Sequence, residues 1–224
     1  MMLKTFSIGE RKVMQEIEVR KKVDLPIPFS DEEISFEDYL VKYDGQHAEW
    51  IGGKVITFMS ASDLHQDLMR FLISILSFFV EAHNLGVIRP APFAMKIKEE
   101  TRGREPDILF LAKENLDRLK PTYLDGPADL AIEIISPESI ERDRDERFYE
   151  YEEAGVPEYW MLDPTLKRAE FYALGEDGVY RPISIDENGI FRSVMLRRLE
   201  LKVAWLWQKP LPTLMSVLKE WKLV

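Results

Sequence analysis

The sequence predicts an α/β (α+β) domain, on three observations. First, Leu64, Leu68, Phe71, Leu72, Ile75 and Phe79 recur at helical spacing, one face of a long helix. Second, residues 107–112, 129–136 and 158–163 are apolar runs of strand length, the pattern of strands covered on both faces. Third, helix, strands, helix and strands follow one another in an order that one sheet can accommodate as a single domain.

The elements follow in order. Residues 1–30 read as an N-terminal arm of mixed charge, ending in Leu25-Pro26-Ile27-Pro28. The apolar positions Val13, Ile17 and Val19 fit neither a strand nor a helix. Ser30-Asp31-Glu32-Glu33 opens a short helix to about Tyr43, with a serine cap and acids in its first turn. Glu49-Trp50-Ile51 and Lys54-Val55-Ile56-Thr57-Phe58-Met59 are strands around Gly52-Gly53. Ser60 or Ser62 caps the long helix, which ends near His83 ahead of Asn84-Leu85-Gly86. Strands follow at 87–89 and 93–98, where Phe93, Met95 and Ile97 alternate with Ala94, Lys96 and Lys98. A third helix starts at Ser136-Pro137-Glu138 and stops at Gly155. Short strands divided by Gly175-Glu176-Asp177-Gly178 and Asp186-Glu187-Asn188-Gly189 run to about Leu206. An amphipathic helix over 212–222 closes the chain, packed on the same domain.

Composition narrows the chemistry. Cysteine is absent from the 224 residues, which excludes disulfides, zinc–thiolate sites and thiol nucleophiles. The net charge of −10, from 30 basic and 40 acidic side chains, argues against indiscriminate coating of nucleic acid but not against a local basic cleft. No apolar run approaches the length of a membrane span, and the first residues lack the apolar core of a secretory signal, so the expectation is a cytoplasmic chain. Neither a phosphate-binding glycine loop, nor His-Glu-x-x-His, nor Gly-x-Ser-x-Gly occurs. A two-carboxylate glycosidase stays open, with nothing to select a sugar.

Two acids stand where apolar residues belong. Asp107 opens Ile108-Leu109-Phe110-Leu111, and Glu133 interrupts Leu130-Ala131-Ile132 and Ile134-Ile135. A carboxylate in such a strand is costly to desolvate unless it meets a cation or the lip of a cleft. On neighbouring strands the two would point at one spot and suit a hard divalent cation such as Mg²⁺. The alternative is that Asp107 caps a turn and Glu133 pairs with an arginine. Glu49 is a third candidate acid, and His65, at the start of the long helix, is either a packing residue or part of the site. Asp143, Arg147 and Tyr151 share a helix face. Arg147 either pairs with Asp143 at the surface or lies over the acids to take a phosphate oxygen. Lys96, Lys98, Arg102 and Arg104 form a basic stretch, either a solvated strand edge or a contact for a phosphate backbone.

Taken together, Pro106-Asp107-Ile108, Asp129-Leu-Ala-Ile-Glu133-Ile-Ile-Ser136-Pro137, Asp143, Tyr151 and Ala154-Gly155-Val156-Pro157-Glu158-Tyr159-Trp160-Met-Leu-Asp163-Pro164 resemble the Uma2 family, restriction-endonuclease-like proteins of the PD-(D/E)XK nuclease superfamily. The likeness reaches back to Glu49-Trp-Ile-Gly-Gly-Lys and the His65 helix start, and forward through Leu199-Glu-Leu. It implies a restriction-endonuclease-like mixed central sheet flanked by helices over 31–207, with an antiparallel C-terminal strand extension and the helix of 208–224 packed on it. It also implies Mg²⁺, or Mn²⁺, held by Asp107, Glu133 and Glu49, and hydrolysis of DNA phosphodiester bonds. Asp107, Glu133, Arg147 and Glu49 are then the candidate catalytic residues. His65, Lys96, Lys98, Arg104 and Tyr151 are the candidate substrate-binding residues. One departure stands out: the superfamily lysine two residues after the second acid is Ile135 here. Arg147 occupies the helical place from which a lysine substitutes in related members, and arginine cannot act as a base. The competing expectation is a nuclease-derived binding module of weak or no turnover. A homodimer suits the need to cut two strands, with the N-terminal arm and the last helix as its apolar contact and Trp205, Trp207 and Trp221 either at that interface or in the core.

Overall fold

The computed structural model describes residues 30, 32–46, 48–57, 62–98, 102–135 and 142–224, with backbone alone at 98 and 142–145. The expected arm with Val13, Ile17 and Val19, His47, the strand end at Phe58 and Met59, Ser60, the helix start at 136–141 and the side chains of Lys98 and Asp143 lie outside what is described.

Helix α1 (Phe36–Lys42) starts at Ser35, whose hydroxyl accepts the Asp38 N–H. The expected cap, Ser30, instead pairs through its backbone N–H with the Val55 carbonyl, so the chain is still extended there. The hairpin β1 (Ala48–Ile51) and β2 (Lys54–Thr57) turns through Gly52 and Gly53, both at positive φ, which favours glycine. Helix α2 (Asp63–Ala82) is capped by Ser62. Strands β3 (Gly86–Pro90), β4 (Ala94–Lys98), β5 (Arg102–Arg104), β6 (Ile108–Ala112), β7 (Tyr123–Asp125) and β8 (Leu130–Ile134) lead to helix α3 (Arg142–Ala154), which stops at Gly155, φ 80°. Beyond it come β9 (Glu158–Asp163), β10 (Arg168–Leu174), β11 (Tyr180–Pro182), β12 (Ile190–Arg192), β13 (Glu200–Lys202) and helix α4 (Leu214–Glu220).

The strands form a six-stranded mixed sheet, β11-β10-β9-β8-β6-β3, in which β8 and β9 are parallel and the other pairs antiparallel. They also form a five-stranded sheet, β2-β1-β5-β4-β7, where one central sheet was expected, and the antiparallel pair β12-β13 near the C-terminus, in keeping with the expected strand extension. Helices flank the large sheet. Strand alternation splits its residues between two layers. Ile108, Phe110, Leu130, Ile132, Trp160 and Leu162 meet Leu68, Leu72, Ile75, Leu76 and Phe79 of α2. Leu109, Leu111, Ala131, Tyr159 and Met161 meet Tyr151 of α3 and Met95 of β4. Leu64, expected in the first layer, is 37% exposed: in the first turn of α2 it overhangs the core and borders a cleft of about 300 Å³ with Trp207 and Leu211. Trp205 and Trp221 pack inside the chain, the latter edge-on to Phe79 at 5.3 Å. No helix among the described residues is long and apolar enough to cross a membrane.

Candidate active site

Strands β6 and β8 are antiparallel neighbours in the register Ile108↔Ile132, so Asp107 and Glu133 stand opposite each other at the end of the pairing. Asp107 Oδ2 accepts the Ile134 N–H at 2.7 Å, and its Oδ1 lies 3.2 Å from His65 Nε2. Ser62 caps α2 by accepting the His65 N–H at 3.2 Å, which places His65 in the first turn of the helix. His65 Nδ1, buried, has no hydrogen-bond partner among the described residues.

Glu133 is held from the other side by α3. Arg147 and Tyr151, four residues apart and so on one helix face, donate to its two oxygens, Nη1 to Oε2 and the Tyr151 hydroxyl to Oε1, each at 2.7 Å. Arg147 also reaches Glu49 on β1: its Nη2 donates to Oε1 at 3.1 Å. Glu49 accepts further from the Glu105 N–H at 3.3 Å and, at Oε2, from Arg104. Arg104 in turn makes a two-pronged contact with Glu150, Nε to Oε2 at 2.6 Å and Nη2 to Oε1 at 2.9 Å. Arg102 also pairs with Glu150. The result is a chain of alternating charge, Glu133–Arg147–Glu49–Arg104–Glu150, that ties α3 to the small sheet.

Burial and charge set these groups apart. Burial lifts the Glu133 carboxyl most, and the Asp107 charge adds to it; the opposing pull of Arg147 does not win, leaving it pushed up to about 8. Burial would lift Glu49 too, but Arg104 and Arg147 together hold it below the ordinary carboxylate range. Burial, then the Glu133 charge, raises the Tyr151 hydroxyl, keeping it a proton donor. Nearby, burial pushes Glu105 up to about 7 while it accepts from the Tyr39 hydroxyl at 2.8 Å and the Ala48 N–H at 3.2 Å.

The structure thus gathers Asp107, Glu133, Glu49, Arg147, His65, Tyr151 and Arg104 into one cluster. Arg104 is 2% exposed and fully engaged by acids, in place of the open basic edge that its stretch suggested. Lys96 pairs with Gly103 across β4 and β5, while Met95 pairs with Arg104, so Lys96 faces away from the cluster; its Nζ sits 5.4 Å over the Phe36 ring. Glu105, Glu150 and Tyr39 went unread in the sequence. Glu150 had one signal, its place three residues after Arg147 on the same helix.

Among the described residues no set of three or more His, Cys, Asp or Glu side chains is spaced to hold a metal ion. Two facing carboxylates nevertheless offer hard oxygen donors, and Mg²⁺ is commonly bound by one or two carboxylates with water and substrate phosphate completing its shell. The pair therefore has the donor chemistry for such an ion, with both Glu133 oxygens held by Arg147 and Tyr151, and not that of a closed structural site.

The sequence model of the Uma2 family, described as "Putative restriction endonuclease", matches residues 35–204. The fold is similar to the crystal structure of "a putative nuclease belonging to DUF820 from Anabaena variabilis ATCC 29413": the TM-score is 0.64 at 16% identity, covering 78% of this chain and 97% of that one. At that identity the likeness is one of fold. No curated protein matches the chain.

Proposed function

This chain belongs to the Uma2 family of restriction-endonuclease-like proteins, and from that premise we propose that it is a divalent-metal-dependent endonuclease that hydrolyses DNA phosphodiester bonds. The observation that carries the reading is the facing pair Asp107 and Glu133 at the ends of β6 and β8, with Asp107 fixed by the Ile134 N–H. Asp107 and Glu133 would hold Mg²⁺ or Mn²⁺. When bound, such an ion neutralises charge that builds on the scissile phosphate and lowers the pKa of the attacking water.

The chain's own residues do the rest. His65 Nε2 and the Ile134 N–H address the two oxygens of Asp107 and fix its rotamer. Tyr151 does the same for Glu133, and because its hydroxyl is held protonated it donates and does not compete as an anion. Arg147 stays protonated at any ordinary pH, so its part is to bind a phosphate oxygen and stabilise negative charge, not to accept a proton. Arg104 supports Glu49 from behind and is too buried to meet a substrate.

A second reading, a binding module without turnover, is favoured by Ile135 at the place of the family lysine and by the internal donors already on Glu133. One assay separates the two: supercoiled plasmid with Mg²⁺ or Mn²⁺, EDTA as blank, and the Asp107→Ala and Glu133→Ala proteins alongside. Nicking that needs the metal and disappears in both variants is the expected result. Folded protein that binds the plasmid without cutting it under either metal would establish the second reading instead.

A further inference from the structure

Every oxygen of Glu133 and Glu49 already accepts a hydrogen bond from the protein. Tyr151 and Arg147 serve Glu133; Arg147, Arg104 and the Glu105 N–H serve Glu49. The two acids differ in what would remain if Arg147 turned away. Glu49 keeps a second guanidinium, that of Arg104, whereas among the described residues Arg147 is the one cation paired with Glu133. A divalent ion drawn to Asp107 and Glu133 therefore approaches an oxygen edge that a positive charge 2.7 Å away has already taken.

We infer that Arg147 is the competitor of the divalent cation at Glu133, and that Glu49, neutralised from behind by Arg104, is the second anchor of Arg147 and not a metal ligand. The inference rests on the metal-site reading given above. Two features of the geometry support it. Arg147 spans the acids with different nitrogens, Nη1 on Glu133 and Nη2 on Glu49, so it can surrender one contact and keep the other. Glu49 is fully buried, with both oxygens committed to donors on β5 and α3, which leaves no edge turned toward an ion. Arg147 thus sets the affinity of the site for metal as well as facing the phosphate.

The test is a calorimetric titration of Mn²⁺, without DNA and at one pH and ionic strength, into the wild type and the Arg147→Gln, Arg147→Lys, Glu49→Gln and Glu133→Gln proteins. Removing the competing charge should tighten Mn²⁺ by about tenfold or more in Arg147→Gln. Arg147→Lys should tighten it less, because the ammonium keeps a positive charge beside Glu133. If Arg147→Gln fails to fold by circular dichroism, the lysine variant carries the comparison. Glu49→Gln should stay within about threefold of the wild type, and Glu133→Gln should lose binding. Unchanged or weaker binding in the Arg147 variants, with loss in Glu133→Gln, would overturn the competitor and leave the metal site standing. Loss in Glu49→Gln would overturn the anchor. If none of the five proteins takes up Mn²⁺, the metal site falls, and this inference with it.

Discussion

Two helices cover the two faces of the large sheet, and they do so by different physics. Helix α2 buries Leu68, Phe71, Leu72, Ile75, Leu76, Phe79 and Val80, an apolar seam whose stability comes from area removed from water. Helix α3 adds to the apolar contacts of Phe148 and Tyr151 a set of ionic ones, in which Arg147 and Glu150 meet charged partners on β1, β5 and β8. An apolar seam tolerates small shifts and is indifferent to pH. A buried ionic seam fixes its geometry closely and loses heavily when one member is removed. The face that carries the candidate chemistry is the one built from charge.

The strongest way to break the contrast is Arg104→Ala, which takes from Glu49 and Glu150 the buried guanidinium they share and leaves them to Arg147 and Arg102 alone. A loss of about 4 kcal/mol is expected in urea unfolding, the cost of breaking a buried pair from one side. Leu72→Ala, fully buried in the α2 seam, should cost about 3 kcal/mol through the lost methyl groups and the cavity left behind. Unlike the first loss, this one should be the same at pH 5 and pH 8.5.

Acidity sharpens the comparison further. The folded chain pushes Glu133 up to about 8 and Glu105 up to about 7, from an ordinary 4.5. Between 4.5 and those values the folded state binds protons that the unfolded state has released. The stabilisation is therefore complete below about pH 4.5 and is lost as the pH climbs through 7 and then 8. The urea midpoint should fall from pH 5 to pH 8.5, and Glu105→Gln should remove the earlier part of that fall. Smallest of all, Trp221→Phe deletes the indole donor to the Glu200 carbonyl at 2.8 Å while keeping the ring against Phe79. About 1 kcal/mol is expected, seen as a lower midpoint without a change in slope.

The same contrast decides what the sequence made legible. The α2 seam and strands β6, β8 and β9 announce themselves because apolar periodicity is written directly into residue type. Asp107 and Glu133 are legible for the opposite reason, as acids inside apolar strands. Glu150 and the buried role of Arg104 are hidden because each residue sits in a charge-rich stretch, Arg102-Gly103-Arg104-Glu105 and Arg147-Phe148-Tyr149-Glu150-Tyr151-Glu152-Glu153, that reads like solvated surface. Only the pairing of distant strands turns those runs inward. Strands β5 and β7, three residues each, are too short to show a period, which is why the second sheet went unread. The shift of the first cap from Ser30 to Ser35 has the same origin: both serines precede acids, and the choice is made by the Val55 carbonyl across the hairpin.

The alternating chain from Glu133 to Glu150 also constrains how this sequence can change. Any one member replaced alone leaves a buried neighbour with one counter-charge fewer, so positions 49, 104, 147 and 150 are coupled. A change at one of them is best balanced by a change at its partner, which couples the small sheet that carries 49 and 104 to the helix that carries 147 and 150.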